Sequence, residues 1–266
     1  MPYLFDNLQT IVELTKREPF ALLTDVDGTI SNTTLTPEQA TVTPLCREYL
    51  SILCSKLPLV AAISGRSVLD VKKMVGIEQM AYIGNHGMER WKQGRSELVQ
   101  GLEGFPELIK SLTEYLSCHI SINGVKVENK GITATIHYRQ TTSPETSQYK
   151  IMQTLEQLPQ TEKLRIMQGK MSINLLPPMK INKGTAVLDL IGKHKSRGGI
   201  YLGDEITDLD AFEAIHSASR GSDFRGLSIG VVSQEMPGNF LAAVDFTLKG
   251  INDVERFLQW LTQNIP

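Results

Sequence analysis

The sequence is short of what would mark a disulfide-stapled, membrane-borne or nucleic-acid-binding chain. Its three cysteines, Cys46, Cys54 and Cys118, cannot all pair, and none sits in a Cys-x-x-Cys arrangement. They are expected to be buried or half-buried thiols with no metal or redox role, in a reducing, cytoplasmic compartment. No stretch approaches the roughly 20 apolar residues that span a bilayer. Residues 1–20 break up their apolar positions with Asp6, Glu13, Lys16, Arg17 and Glu18, unlike a signal peptide. A soluble protein without a membrane partner is expected. Charge of one sign is also lacking: 27 basic and 29 acidic residues leave a formal net charge of −2. That is not the basic footprint of a nucleic-acid binder. The short cationic pieces Lys72-Lys73 and Lys193-His194-Lys195 suit solvated helix faces and loop ends. There is no internal repeat and no low-complexity tract.

What is present is a chain of 266 residues, 41% of them hydrophobic, long enough to bury a sizeable core without covalent staples. Residues 4–16 have roughly helical apolar spacing. Phe20 to Thr24, Leu59 to Ile63 and Met80 to Ile83 are short apolar runs, each followed by a polar, glycine-containing loop. They read as buried parallel strands. Helices are predicted over 37–56, with Pro37 in the first turn, and over 67–75, with Ser67 as N-cap. The alternation resumes near the C-terminus: a helix from Lys183, a strand at 199–202, a helix over 208–215, peripheral strands at 227–231 and 246–248, and a closing helix over 251–263. Such β-α-β order specifies a parallel sheet with helices on its faces. Between the two stretches, residues 119–122, 125–128, 132–136 and 166–176 alternate as half-exposed antiparallel strands do, and helices are predicted over 106–117 and 144–158. The resulting expectation is an α/β core from residues 1–100 and 181–266, carrying an inserted α+β domain over 101–180.

Ligands of open parallel sheets bind at the carboxyl ends of the strands, so the loops there carry the chemistry. The first is Asp25-Val26-Asp27-Gly28-Thr29. Two aspartates one residue apart after a buried strand call for compensation, which a hard divalent cation would supply. Asp25 could then attack phosphorus, and Asp27 could protonate the leaving alkoxide and activate water. An Asx-type turn into a helix would use the same residues. The second loop, Ser64-Gly65-Arg66, offers a hydroxyl and an amide to a phosphoryl oxygen, or is simply a turn. Lys183, opening a helix, could balance charge on an aspartyl nucleophile, or be an exposed lysine. Finally, Asp204, Glu205, Asp208 and Asp210 crowd the loop after the strand at 199–202. Asp204 is the first candidate metal ligand and Asp208 its supporting or alternate partner; helix capping is the competing use, and for Asp210 the expected one.

Taken in order, Asp25-x-Asp27, Ser64, Lys183 and Asp204-x-x-x-Asp208 resemble the four motifs of the haloacid-dehalogenase superfamily. Within it the chain looks like the trehalose-6-phosphate phosphatases, through LLTDVDGTI (22–30), ISGRS (63–67), YIGNHGMER (82–90), VENKGITATIHYR (127–139), INKGTAVLDLI (181–191) and YLGDEITDLDAF (201–212). The resemblance implies a Rossmann-like core with a cap domain that closes over the sugar, an aspartyl-phosphate intermediate, and Mg2+ held by Asp25, Asp27, Asp204 and Asp208. It implies Asp25, Asp27, Ser64 and Lys183 as catalytic residues and puts Arg66, His86 and Glu89 near the phosphate or sugar. It assigns Glu128, Lys130, His137 and Arg139 to the cap or its hinge, with Glu128 and Lys130 approaching the disaccharide; Lys170 matches the pattern. For His137 a structural role, and for Arg139 a hinge ion pair, are the other readings. The chain departs from the family at Glu205, usually aspartate, at Leu176, often arginine, and at Asn174, where a glutamate grips sugar hydroxyls.

The expected activity is hydrolysis of a sugar phosphate monoester, trehalose 6-phosphate first, with a glycosyl-phosphate synthase as a functional neighbour. Asn174 keeps open a related glycosyl phosphatase acting on glucosylglycerol, glucosylglycerate or sucrose phosphate. A non-catalytic sugar-phosphate sensor would have no need of the Asp25–Asp27 pair.

Overall fold

A computed structural model describes residues 2–32, 34, 39–169, 171–221, 223–232 and 238–265. The chain divides into two compact units, residues 1–97 with 181–266, and residues 98–180. Among the described residues no helix is long and apolar enough to cross a membrane.

The larger unit is organised by β1 (Phe20–Thr24), β2 (Leu59–Ile63) and β3 (Ala81–Gly84). Every residue of β1 and β2 is buried, as it must be for strands covered on both faces. The sheet continues with β4 (Glu89–Lys92), β5 (Arg95–Leu98), β10 (Gly198–Gly203), β11 (Arg225–Val232) and β12 (Phe246–Lys249), in the order β12-β11-β10-β1-β2-β3-β4-β5. Pairing is parallel from β12 to β3 and antiparallel between β3 and β4.

The period of two along each strand separates two cores. Phe20, Leu22, Val60, Ala62, Ile200 and Leu202 share one with helices α2 (Pro44–Lys56), α3 (Val68–Val75) and α9 (Gly250–Asn264). Ala21, Leu23, Ala61, Ile63 and Tyr201 share the other with α6 (Lys183–Lys193) and α7 (Leu209–Gly221). Among the described residues the other α-helices of this unit are α1 (Leu8–Thr15) and the short α8 (Gly238–Ala242).

The helix predicted over 37–56 begins at Pro44, and residues 37–38 lie outside the described ones. Val42 bridges Ser31 and the Thr43 amide donates to the Ile30 carbonyl, which holds this stretch extended. Thr43 then caps the helix by accepting from the Cys46 amide, with Pro44 in the first turn. Ser67 caps α3 as predicted. The sequence reading contains neither β4 nor β5. Both are short and mostly polar, and they are joined by Gln93-Gly94, each with positive φ, the backbone a tight hairpin needs.

The smaller unit is a four-stranded antiparallel sheet, β6 (Lys126–Asn129), β7 (Ala134–His137), β9 (Ser172–Leu176) and β8 (Arg165–Gly169), in the order β6-β7-β9-β8. Ala134, Ile136, Ile173 and Leu175 pack against α4 (Phe105–His119) and α5 (Pro144–Glu156) through Ile109, Leu112, Leu116, Ile151 and Leu155. On the opposite face Glu128, Thr135, Asn174 and Met167 stand abreast. The strand predicted at 119–122 does not form: α4 extends through His119, and Ile120 donates its amide back to Leu116.

A polar node pins α7 to the far side of the sheet. His216 Nε2 lies 3.0 Å from both Asp245 Oδ2 and Ser228 Oγ, and the Ser228 hydroxyl donates to Asp245 at 2.9 Å. A hydrolase triad would place acid and serine on different ring nitrogens, so this closed triangle is structural. The Asp245 hydrogen bond, outweighing burial, raises the pKa of His216. Burial would raise Asp245, but His216 and the Ser228 amide and hydroxyl hold it below its ordinary 3.8. The stability this gives is full below the ordinary histidine value of 6.5 and is lost as pH rises through the raised one. At the acid end it is lost as pH falls through the lowered value of Asp245. His216→Gln should therefore cost about 1 kcal/mol at pH 5–6, with the deficit shrinking above neutrality in thermal melts recorded across pH.

Candidate active site

Asp25 extends β1 by one residue, and its amide still donates to Leu202 of β10 at 2.8 Å. Strand parity turns its side chain to the α6 face, where Lys183 occupies the first helical position. Asn182 caps that helix through a reciprocal hydrogen-bond pair with Thr185, which fixes where the lysine starts. Lys183 is fully buried, so the expectation of an exposed lysine is set aside. Its three ammonium protons point at Asp25 Oδ1 (2.8 Å), Asp208 Oδ1 (2.8 Å) and Glu205 Oε1 (3.3 Å).

Asp208 is fully buried and accepts four hydrogen bonds. Oδ1 takes Lys183 and the Tyr201 hydroxyl (2.6 Å), and Oδ2 takes the amides of Asp204 and Glu205, both at 3.0 Å. It therefore shapes the loop that presents Asp204. That loop touches the first one: Thr29 donates to Asp204 Oδ1 at 3.2 Å. A β-carbon at Gly28, where φ is +79°, would sit 2.0 Å from Asp204 Oδ2, so only glycine lets the two loops meet.

Burial pushes the Asp25 carboxyl well above its ordinary range; Lys183 pulls the other way, and Asp208, Glu205 and Asp204 reinforce the rise. Asp204 is raised by burial and then by Asp208 and Glu205. Burial alone would lower Lys183, but Asp208 and Asp25 outweigh it and hold it well above its ordinary value. Burial would raise Glu205, yet Lys183 and the Thr207 hydroxyl bring it down to about 2. Its side chain is 47% exposed, so water screens this coupling and it carries little stability. One lysine among four carboxylates leaves negative charge uncompensated. Asp25, Asp204 and Asp208 each offer an oxygen, all within 4.8 Å of one another. Hard oxygen donors with an unbalanced charge fit a divalent cation.

Asp27 and Arg66 form a bidentate pair, Nε to Oδ2 at 2.6 Å and the terminal nitrogen to Oδ1 at 2.7 Å. The Asp27 carboxylate lies outside the three-aspartate cluster. Ser64 is buried at the end of β2, and its hydroxyl accepts from the Arg66 amide at 3.2 Å. Asn85 and His86 both have positive φ, a costly conformation for residues with side chains. The turn is held by the Asn85 amide on Arg66 (2.7 Å) and the His86 amide on Ser64 (3.0 Å). The His86 ring lies over Gly65, where a β-carbon would come within 2.5 Å of Cε1. Glu89 is engaged locally: Oε2 accepts from the Val68 amide (2.8 Å) and Asn85 Nδ2 (2.9 Å), and Oε1 from Ser96 (2.5 Å).

In the smaller unit, His137 Nε2 lies 2.7 Å from Glu128 Oε2, and Lys130 Nζ 3.8 Å from the same oxygen. Asn174 Oδ1 accepts from Thr135 at 2.8 Å. Arg139 follows β7, two residues past its last, and Lys170 lies outside the described residues. The sequence reading overlooked Tyr201, Thr29 and Thr135. A tyrosine inside a buried strand is a usable signal, since its hydroxyl must find a partner.

A parallel sheet with acidic loops and a buried lysine at its strand ends, in a chain that also has a separate α+β unit, defines an α/β protein of haloacid-dehalogenase type. Structural similarity agrees: the C-terminal domain of trehalose-6-phosphate phosphatase from C. albicans aligns over 98% of both chains with a TM-score of 0.79 and 22% identity. The trehalose-phosphatase family profile matches residues 23–240, and the chain belongs to that family. It is 32% identical to a trehalose-phosphate phosphatase of Mycobacterium leprae over 279 residues, covering all of this chain and 63% of the relative. It is 31% identical over 261 residues to an uncharacterized glycosyl hydrolase of Mycobacterium tuberculosis, covering 93% of this chain and 18% of that protein. The chain thus spans less than two thirds of these two relatives.

Lys183→Met removes the one cation from this buried set. The variant should lose about 3–5 kcal/mol of stability at neutral pH, because Asp25 and Asp208 are left buried without their partner. Urea unfolding of the two proteins measures the difference.

Proposed function

We propose that this chain is a phosphatase that hydrolyses a phosphorylated disaccharide, trehalose 6-phosphate, with Asp25 as nucleophile. The observation that carries this reading is the buried contact of Lys183 with Asp25, one of the three clustered aspartates, in a chain of the trehalose-phosphatase family. Asp25 attacks phosphorus, the bond from phosphorus to the sugar oxygen breaks, and Asp27, in its protonated form, gives that oxygen its proton. Asp27 then takes a proton from the water that attacks the aspartyl-phosphate, which frees Asp25 and inorganic phosphate. Lys183, the Ser64 hydroxyl and the amides beside it face the phosphoryl oxygens. Arg66 holds Asp27 in place and is a second cation, besides Lys183, to share with an arriving phosphate. Asp25 and Asp204, steadied by Asp208, are the residues to hold Mg2+, which supplies positive charge against the phosphoryl group. His86 lines the same strand ends, and Glu89 sets its turn.

The polar face of the smaller unit's sheet is assigned to the sugar, with Glu128, Lys130, His137, Asn174, Arg139 and Lys170 its candidate contacts. A second reading, a related glycosyl phosphate, has specific support: Asn174 is neutral and its amide oxygen is already engaged by Thr135. It therefore grips hydroxyls differently from a carboxylate.

Phosphate release from a panel of sugar phosphates decides between these readings. Trehalose 6-phosphate should be the best substrate by kcat/KM, and equal low rates across the panel would defeat that choice. Asp25→Asn should lower turnover by about three orders of magnitude or more, the scale expected when a covalent nucleophile is lost. A chelator should abolish activity and added Mg2+ restore it; activity that survives chelation would remove the cation from the scheme.

A further inference from the structure

We infer that Tyr201 is a positioning residue for phosphoryl transfer, acting through Asp208 on Lys183; this rests on the phosphatase reading. Tyr201 lies in mid-strand on β10, fully buried, in register with Leu23 of β1 and Ser228 of β11. Its parity puts it on the α6 face, the side to which Asp25 also turns. The ring is packed edge-on against Phe212, centroids 5.7 Å apart, and Phe212 in turn against Phe240 at 5.5 Å. That aromatic stack leaves the hydroxyl one direction, toward Asp208 Oδ1 at 2.6 Å.

The same oxygen accepts from Lys183. Asp208 is therefore held from three sides, by Tyr201, by Lys183 and by the Asp204 and Glu205 amides. Only the Tyr201 contact comes from a rigid central strand without being part of the reacting set. When Asp25 becomes esterified its carboxylate oxygen is taken up in the acyl phosphate, and Lys183 has to shift from that oxygen toward the phosphoryl oxygens. Asp208 is then the one close, buried partner that keeps the ammonium in place, with Glu205 farther off at 3.3 Å and half exposed. A carboxylate fixed by a rigid donor does so; one held by loop amides alone can turn with the loop. Tyr201 does not touch substrate, so its loss should act on turnover and not on binding.

The test uses the full chain, Mg2+ and the best substrate of the panel. Tyr201→Phe removes one oxygen and leaves the ring stack intact. It should lower kcat by about tenfold to hundredfold, the scale of a hydrogen bond to a charged group, with KM within about twofold. Phe257→Leu is the stability control: Phe257 is buried in the core on the opposite face of the sheet, outside the Tyr201 stack, so the change should lower Tm and leave kcat near wild type. A Tyr201→Phe enzyme with wild-type kcat would overturn the inference. So would a Phe257→Leu enzyme that loses kcat as steeply as Tyr201→Phe does, since turnover would then follow stability and not the hydroxyl. A wild type that releases no phosphate from any substrate would instead fell the phosphatase reading itself, and these outcomes are distinct.

Discussion

Everything at the strand ends depends on one buried ammonium group. Lys183 has no exposed surface, and two carboxylates lie 2.8 Å from its nitrogen. A lysine in that position is tolerable only because Asp25 and Asp208 outweigh the desolvation it suffers. The dependence is mutual, since those two carboxylates are themselves buried and share this cation. Removing water from around all of them strengthens the attraction and raises the cost of a missing partner. The site is therefore stable as a set. It still carries an excess of negative charge, which suits it to a divalent cation.

The sheet delivers these charges to one place through parity and register. Odd-numbered residues of β1 face α6, so Asp25 meets the first residue of that helix, and the Asn182 cap sets where the helix begins. On β10, Tyr201 shares that face and reaches the carboxylate that the next loop folds back. The loops then fasten one another. Gly28 and Thr29 meet Asp204, Arg66 spans to Asp27, and the turn at Asn85-His86 hangs from the carbonyls of Ser64 and Arg66. Glu89 is spent on holding that turn, a supporting role that preorganises its neighbours.

The inserted sheet follows a different logic. One face is sealed by α4 and α5, and the other carries Glu128, Thr135, Asn174 and Met167 in a row. Side chains abreast on an antiparallel sheet can act together although distant in sequence. Here they form a polar strip in which Asn174 is tied to Thr135 and Glu128 to His137. That strip is neutral at Asn174, whose amide oxygen is already taken by Thr135.

Apolar runs, caps and the aspartate-rich loops were legible in the sequence because each is a local pattern. Phe20 to Thr24 is continuous hydrophobe, Ser67 stands before a helical period, and Asp25 and Asp27 follow a buried strand. The hairpin at residues 89–98 was not legible, because its short strands are mostly polar and only their place at the sheet edge makes them pair. Nor was the start of α2, since the extended backbone before it is imposed by contacts with Ile30 and Ser31. The sequence by itself determined the alternation of elements and which loops carry charge, for those follow from period and side-chain type. Only the tertiary structure decided which charges pair. That Lys183 is buried against Asp25 and Asp208, that Tyr201 reaches Asp208, and that Arg66 takes Asp27 depend on register between strands far apart in the chain. No local pattern encodes such distances, and electrostatic energy at these sites is set by distance and burial.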